Sequence, residues 1–183
     1  MKKQNIISAI LFGLGLSLAA VSTAQNPVEI GSVTFNAGVG IGTEYQSDYY
    51  NSGFGTKAAL EIGLWKAGPG VITLGAQVGG SFSNGGNFKN YKTNTLVVAG
   101  RSAWHHGWNV KGLDTYAGLS AGAGFHHYEY INNDDVPVSQ REVIPVFGGF
   151  VGASYFITPS FGINVEAGRD ITQIQGGIIF KLK

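Results

Sequence analysis

Seven residues of this sequence, five charged and two neutral and polar, could form a charge network in a confined space: Lys57, Glu61, Gln77, Arg101, Tyr116, Glu166 and Lys181. Each falls on the polar phase of a stretch in which large apolar residues alternate with small or polar ones. All seven therefore share one side of whatever surface those stretches build. Counted from the nearest turns, Glu61, Arg101 and Glu166 come to a similar depth. A guanidinium there suits two carboxylates, because its planar donors engage both at once. Gln77, Tyr116 and Lys181 stand as further partners. The chemistry open to such a set is a plug of paired charges, or a path for ions or protons.

Other constellations are poorer. His105-His106 and His126-His127 are adjacent pairs, and neighbours on a strand point to opposite faces, so neither pair can share one metal ion. By depth the two pairs fall at opposite ends of the molecule. The chain has no cysteine and no helical His-x-x-x-His pair, so neither metal nor cofactor is expected. A hydrolase would need a serine within reach of a histidine and a third group to orient the base. On a strand the economical spacing is His-x-Ser, but His126 is followed two places on by Tyr128, and His127 by Glu129. Ser120 shares the face of His126 but lies roughly 20 Å along the strand. Enzymatic activity is not expected.

The elements that must position these residues are strands. In Leu113–His126, LDTYAGLSAGAGFH, Leu113, Thr115, Ala117, Leu119, Ala121, Ala123 and Phe125 alternate with Asp114, Tyr116, Gly118, Ser120, Gly122, Gly124 and His126. At about 3.4 Å per residue and a tilt near 45° this stretch rises roughly 30 Å, enough to cross a bilayer. Six more stretches follow the same rule: Val33 to Tyr45, the region of Lys57 to Leu64, Val71 to about Phe82, about Lys92 to Trp104, the run from Phe161, and the run around Ile174 to Leu182; roughly Val143 to Ile157 makes an eighth strand without it. The sixth strand, Val143 to Ile157, is apolar on both faces and its register cannot be assigned. Lys66-Ala67-Gly68-Pro69-Gly70 reads as a tight turn. Glu129 to Glu142, with Asn132 to Asp135 and Pro137, reads as the longest loop.

Eight strands, with three short connections alternating with mostly longer ones, predict an all-β, eight-stranded, antiparallel up-and-down transmembrane barrel with both ends on the periplasmic side. Trp65, Trp104, Tyr155 and Phe161 fall near the short turns, and Tyr45, Tyr49, Tyr50, Tyr91, Tyr128 and Tyr130 near the loops, as two aromatic girdles would. A soluble eight-stranded barrel has the opposite polarity. Here the face opposite the large apolar residues carries Glu44, Lys57, Glu61, Arg101 and Glu166, too many charges for a soluble core. A barrel of this size is filled by its own side chains, which favours the plug over the path. Inward glycines on the first and fifth strands would leave room for Arg101.

The ends and the composition agree with export. Lys2 and Lys3 precede an apolar run from Ile6 to Ala20 that leads into Ser22-Thr23-Ala24, the pattern of a signal peptide over residues 1–24, cleaved before Gln25. Residues 25–183 then form a single barrel domain. Of 12 Lys+Arg and 11 Asp+Glu in the chain, the leader takes two lysines, leaving ten basic residues against eleven acidic. No basic excess remains to attract nucleic acid. Glycine accounts for 29 of 183 residues, in alternating positions within the strands, which points to a narrow barrel with crowded places in its wall.

The segments VVAGRSAWHH, LDTYAGLSAGAGF, VGASYFITPSFGINVEAGRD and the ending GGIIFKLK, in that order, resemble the small outer-membrane β-barrel family of Gram-negative bacteria. That group consists of eight-stranded proteins mostly without assigned activity. The resemblance implies residence in the outer membrane, contact with its lipid, and delivery by the barrel-assembly machinery. Family members often end in an aromatic residue, whereas this chain ends in Lys183, with Phe180 and Leu182 keeping the alternation. The expected role is a monomeric membrane scaffold that displays loops and helps keep the envelope intact; the exposed loops, with Tyr49, Tyr50, Asn87, Phe88, Asn132 and Asp134, are either simply solvated or the place where an extracellular ligand is recognised. A narrow pore is the alternative, and a lipid-modifying enzyme comes third.

Overall fold

The structure, a computed structural model, describes residues 26–43, 53–84, 92–131 and 136–183. The leader, Glu44, Tyr45, Tyr49, Tyr50, Tyr91 and the loop residues Asn87, Phe88, Asn132 and Asp134 lie outside the described residues. The strands are β1 (Val33–Thr43), β2 (Gly53–Ala67), β3 (Gly70–Asn84), β4 (Lys92–Gly107), β5 (Leu113–Ile131), β6 (Pro137–Phe156), β7 (Phe161–Arg169) and β8 (Thr172–Lys181). Each pairs antiparallel with its sequence neighbours, and β1 pairs with β8, closing an up-and-down barrel.

Alternation sorts the side chains. Leu60, Ile62, Leu74, Val78, Leu96, Val98, Leu119, Val151, Ile163, Val165, Ile174 and Ile178 face outward and are exposed, with Leu119 at 71% and Phe147 at 80%. Glu61, Gln77 and Arg101 face the lumen and are at most 2% exposed. Water would not tolerate so continuous an apolar outer surface, which exceeds what soluble monomers show. At one point the alternation slips. A bulge between Gly63 and Trp65 turns both Leu64 and Trp65 outward, as an inserted residue does.

The register of β6 follows from its ladder with β5, which runs from Leu113↔Tyr155 to Ile131↔Pro137. Phe147, Val151 and Tyr155 are outward, while Val146, Phe150 and Phe156 are buried in the lumen. The same ladder corrects the expected long loop. Glu129, Tyr130 and Ile131 belong to β5, and residues from Pro137 onward belong to β6, so most of that stretch is a tall hairpin. Its strands are polar on both faces, so no apolar alternation announced them.

Turn chemistry matches expectation at the β2–β3 connection. Gly68 adopts φ 59° ahead of Pro69, the sign pattern of a tight hairpin turn. Residues 26–32 cross the mouth at this end. Asn26 donates to the Pro69 carbonyl at 3.1 Å and accepts from the Gly107 amide. Gly31 and Gly63 join their backbones through Gly31 N to Gly63 O at 2.8 Å. The strap passes so near that a Cβ on Gly63 would lie 2.1 Å from the Glu29 carbonyl oxygen. Val28, fully buried, is the strap's stopper.

Candidate functional site

The lumen holds a continuous chain of charges built from five strands and one turn. β4 brings Arg101 across the interior, where Nε donates to Glu61 of β2 at 2.7 Å, Nη1 to Gln77 of β3 at 3.1 Å and Nη2 to Glu166 of β7 at 3.1 Å. One guanidinium thus spans two carboxylates and an amide, as its fork of donors permits. Lys57 of β2 bonds the other oxygen of Glu166 and pairs with Asp170 at 2.9 Å. Asp170 also accepts from Gln77 at 2.7 Å and from Ser120 at 2.9 Å. Tyr116 donates to Glu166 at 3.3 Å. The ring of Phe150 lies against the guanidinium, 4.0 Å from its carbon to the centroid, a cation–π contact.

Toward the strap the chain continues through His105. Its Nδ1 meets Asp114 Oδ2 at 2.8 Å, its Nε2 lies 3.6 Å from Glu61 Oε2, and its ring stacks on Tyr116 with centroids 4.9 Å apart. The sequence of groups is Asp114, His105, Glu61, Arg101, Glu166, Lys57, Asp170. At the other end Ile171, fully buried, packs with Val97, Ala99 and Val146. The polar chain is therefore bounded by Val28 on one side and an apolar cluster on the other.

Six of the seven residues singled out from alternation meet here: Lys57, Glu61, Gln77, Arg101, Tyr116 and Glu166. Lys181 does not. It is inward by parity, but it sits at the mouth, where its ammonium donates to the Pro27 carbonyl at 2.9 Å. Three members were missed. Asp170 lies in the β7–β8 turn, where alternation says nothing of direction. Asp114 belonged to the polar phase of its strand and His105 to an adjacent histidine pair weighed only for metal, because the pairing of the two depends on the β4–β5 register. The room expected beside Arg101 is also differently used. A Cβ on Gly118 would strike the Phe150 ring at 2.5 Å, so that glycine makes way for the aromatic ring that covers the guanidinium.

The remaining histidines separate as parity requires. His106 faces out between Trp104 and Trp108, with ring centroids at 5.5 and 4.6 Å. His126 faces in and meets the hydroxyl of Thr95 at 2.7 Å, and His127 pairs with Glu129 at 3.2 Å. On the β1, β8 and β6 side, Asn36 Oδ1, both amide atoms of Gln175 and Ser154 Oγ are buried without a hydrogen-bond partner among the described residues.

Neither a protein-family model nor a curated protein matches the chain. Among solved structures it is similar to Ail, the attachment invasion locus protein of Yersinia pestis, at 13% identity and TM-score 0.40, covering 83% of this chain and 95% of that one. Neisserial surface protein A is similar at 10% identity and TM-score 0.40, covering 82% and 92%. The N-terminal β-barrel domain of Pseudomonas aeruginosa OprF is similar at 16% identity and TM-score 0.40, covering 84% and 98%. The assignment of the fold rests on the strand register of this chain.

Proposed function

We propose that this protein is an integral outer-membrane barrel, exported through its N-terminal leader, inserted by the barrel-assembly machinery, and serving as a monomeric scaffold that holds a surface outside the cell. The observation that carries the reading is the filled lumen: the ion-pair chain from Asp114 to Asp170, closed by Val28 at one end and by the Ile171 cluster at the other. An eight-stranded barrel packed in this way is a wall and a plug. The apolar outer face supports lipid as its surroundings. The surface held out is the β5–β6 hairpin, stiffened by its own ladder and by stacked Tyr128 and Tyr130; rigid presentation of this kind suits recognition. Purified barrel added to planar bilayers is expected to stay silent. Reproducible single-channel steps, abolished by lumen substitutions, would overturn the scaffold in favour of a pore.

A narrow pore has one observation in its favour. The unpartnered atoms of Asn36, Gln175 and Ser154 are polar groups that buried sites satisfy with water, so the lumen on the β8 side is hydrophilic beyond its ion pairs. The enzymatic alternative has less support. The hydroxyl beside His126 belongs to Thr95, which is buried, and a nucleophile must reach its substrate. Unchanged lipid A masses on overexpression are the expected result.

A further inference from the structure

The strap crosses its mouth off centre. Asn26 is tied to the Pro69 carbonyl and the Gly107 amide, and Gly31 to Gly63, all on the side of β2, β3 and β4. Toward β5, β6 and β8 its tie is the bond that the Lys181 ammonium donates to the Pro27 carbonyl at 2.9 Å. A cavity of about 380 Å³ lies on that side, between the strap and the turns that follow β4 and β6. Its volume is within the roughly 300–1,000 Å³ of ligand sites.

Turn chemistry fixes the rims. Gly112 takes φ 83° and lies so near β6 that an added Cβ would stand 2.5 Å from the Phe156 carbonyl oxygen. Its own carbonyl accepts from the Phe156 amide at 2.8 Å. In the β6–β7 turn the Thr158 amide donates to the Phe161 carbonyl at 3.0 Å, and the Thr158 hydroxyl accepts from the Phe161 amide at 3.0 Å. Pro159 between them has its φ fixed by its ring. A site with such rims needs little ordering when a ligand arrives.

The lining says which ligand. Phe156, Ile157 and Pro159 supply apolar surface, and Lys111, Lys181 and Glu29 supply the charge. Both lysines stand outside the ion pairs of the lumen. The carbonyl that Lys181 meets is neutral, so it leaves the charge of the ammonium in place. Two ammonium groups against one carboxylate suit a ligand with a single negative charge. An inorganic anion would leave the apolar surface unused, and a neutral hydrocarbon would leave both cations without a counter-charge.

We propose that this half of the mouth is a binding site for a small organic acid, its one carboxylate held between Lys111 and Lys181 and its apolar body resting on Phe156, Ile157 and Pro159. Charge-assisted bonds to the carboxylate give the selectivity, and the apolar floor gives most of the affinity. The site belongs to the mouth, so it does not depend on what surrounds the barrel wall or on whether the lumen conducts.

N-acetylphenylalanine and its carboxamide have the same apolar body and differ in the charge, so the pair serves as the probe. Each is titrated into the purified, isotope-labelled barrel in detergent, and the amide resonances of Gly112, Phe156 and Thr158 are followed by NMR. The acid is expected to bind about tenfold more tightly than the carboxamide. Acetate, which lacks the body, should bind weaker than the acid by about tenfold or more. Lys111 is exposed on a turn, so Lys111→Gln keeps the fold; it should weaken the acid about fivefold and leave the carboxamide unchanged. Glu29→Gln removes the like charge and should tighten the acid about threefold, a gain that a damaged strap would not produce. Equal affinity for acid and carboxamide, or an affinity for the acid that Lys111→Gln leaves unaltered, would overturn the site. Shifts confined to amides of the lumen or of the β5–β6 hairpin would also overturn it, because they would place the acid elsewhere.

Discussion

The arc from β2 to β5 and the arc from β7 to β8 are built to different rules. Strands of the first arc run 15 to 19 residues, whereas β7 has 9 and β8 has 10. The long arc supplies both lysine and arginine of the network, Lys57 and Arg101, and the short arc and its turn supply Glu166 and Asp170, their acceptors across the lumen. Long strands hold their place through an extended ladder and a broad apolar outer face. Short ones have less of both, and here they are clasped to the far wall by charge. The lumen network is thus as much a structural tie between unequal halves of the barrel as a filling.

The largest effect should come from cutting that tie. Arg101→Met leaves Glu61 and Glu166 buried without their shared cation, at a cost of about 3–5 kcal/mol; urea unfolding in detergent micelles should show it, and an unaltered midpoint would mean that the clasp does not hold the short arc. Ile171→Ala, in the turn that caps the short arc, removes a fully buried side chain from the Val97, Ala99 and Val146 cluster. It should cost about 2–5 kcal/mol, with a rise in thermolysin cleavage near the β7–β8 turn. On the long arc the apolar outer face is the sensitive surface. Leu119→Arg should cost about 2–4 kcal/mol in bilayers and much less in water-accessible micelle edges, so folding yields into vesicles separate the two media. Smallest is Lys181→Met, which loses one bond to the Pro27 carbonyl and should cost about 1 kcal/mol. A loss as large as that for Arg101→Met would place Lys181 in the clasp after all.

Much of this was legible before any coordinates. Period-two alternation separated lumen from outer face on every strand whose two faces differ in polarity, because a side-chain period of two leaves a single free choice of phase. That is why Glu61, Gln77, Arg101 and Glu166 could be picked out together although they are scattered over more than a hundred residues. Where both faces were alike the signal failed. β6 is apolar on both sides, and the tall β5–β6 hairpin is polar on both, so neither its phase nor its extent was readable. Lys181 shows the limit of parity, which tells direction but not height. It points inward at the very end of β8, where the lumen has already become the mouth.

Strand number, the antiparallel course, the polarity of the two faces and the cast of charged residues are local properties, carried by alternation and turn chemistry in the chain. Which charge meets which is not local. Asp170 joined the network because the β7–β8 turn ends low and folds Ile171 inward, His105 because the β4–β5 register sets it beside Asp114, and Phe150 because β6 took one of two equally apolar phases. The uneven height of the wall has the same origin: a 20-residue β6 stands beside a 9-residue β7. Such features depend on register and relative height between strands far apart in sequence, and only closure of the barrel decides them.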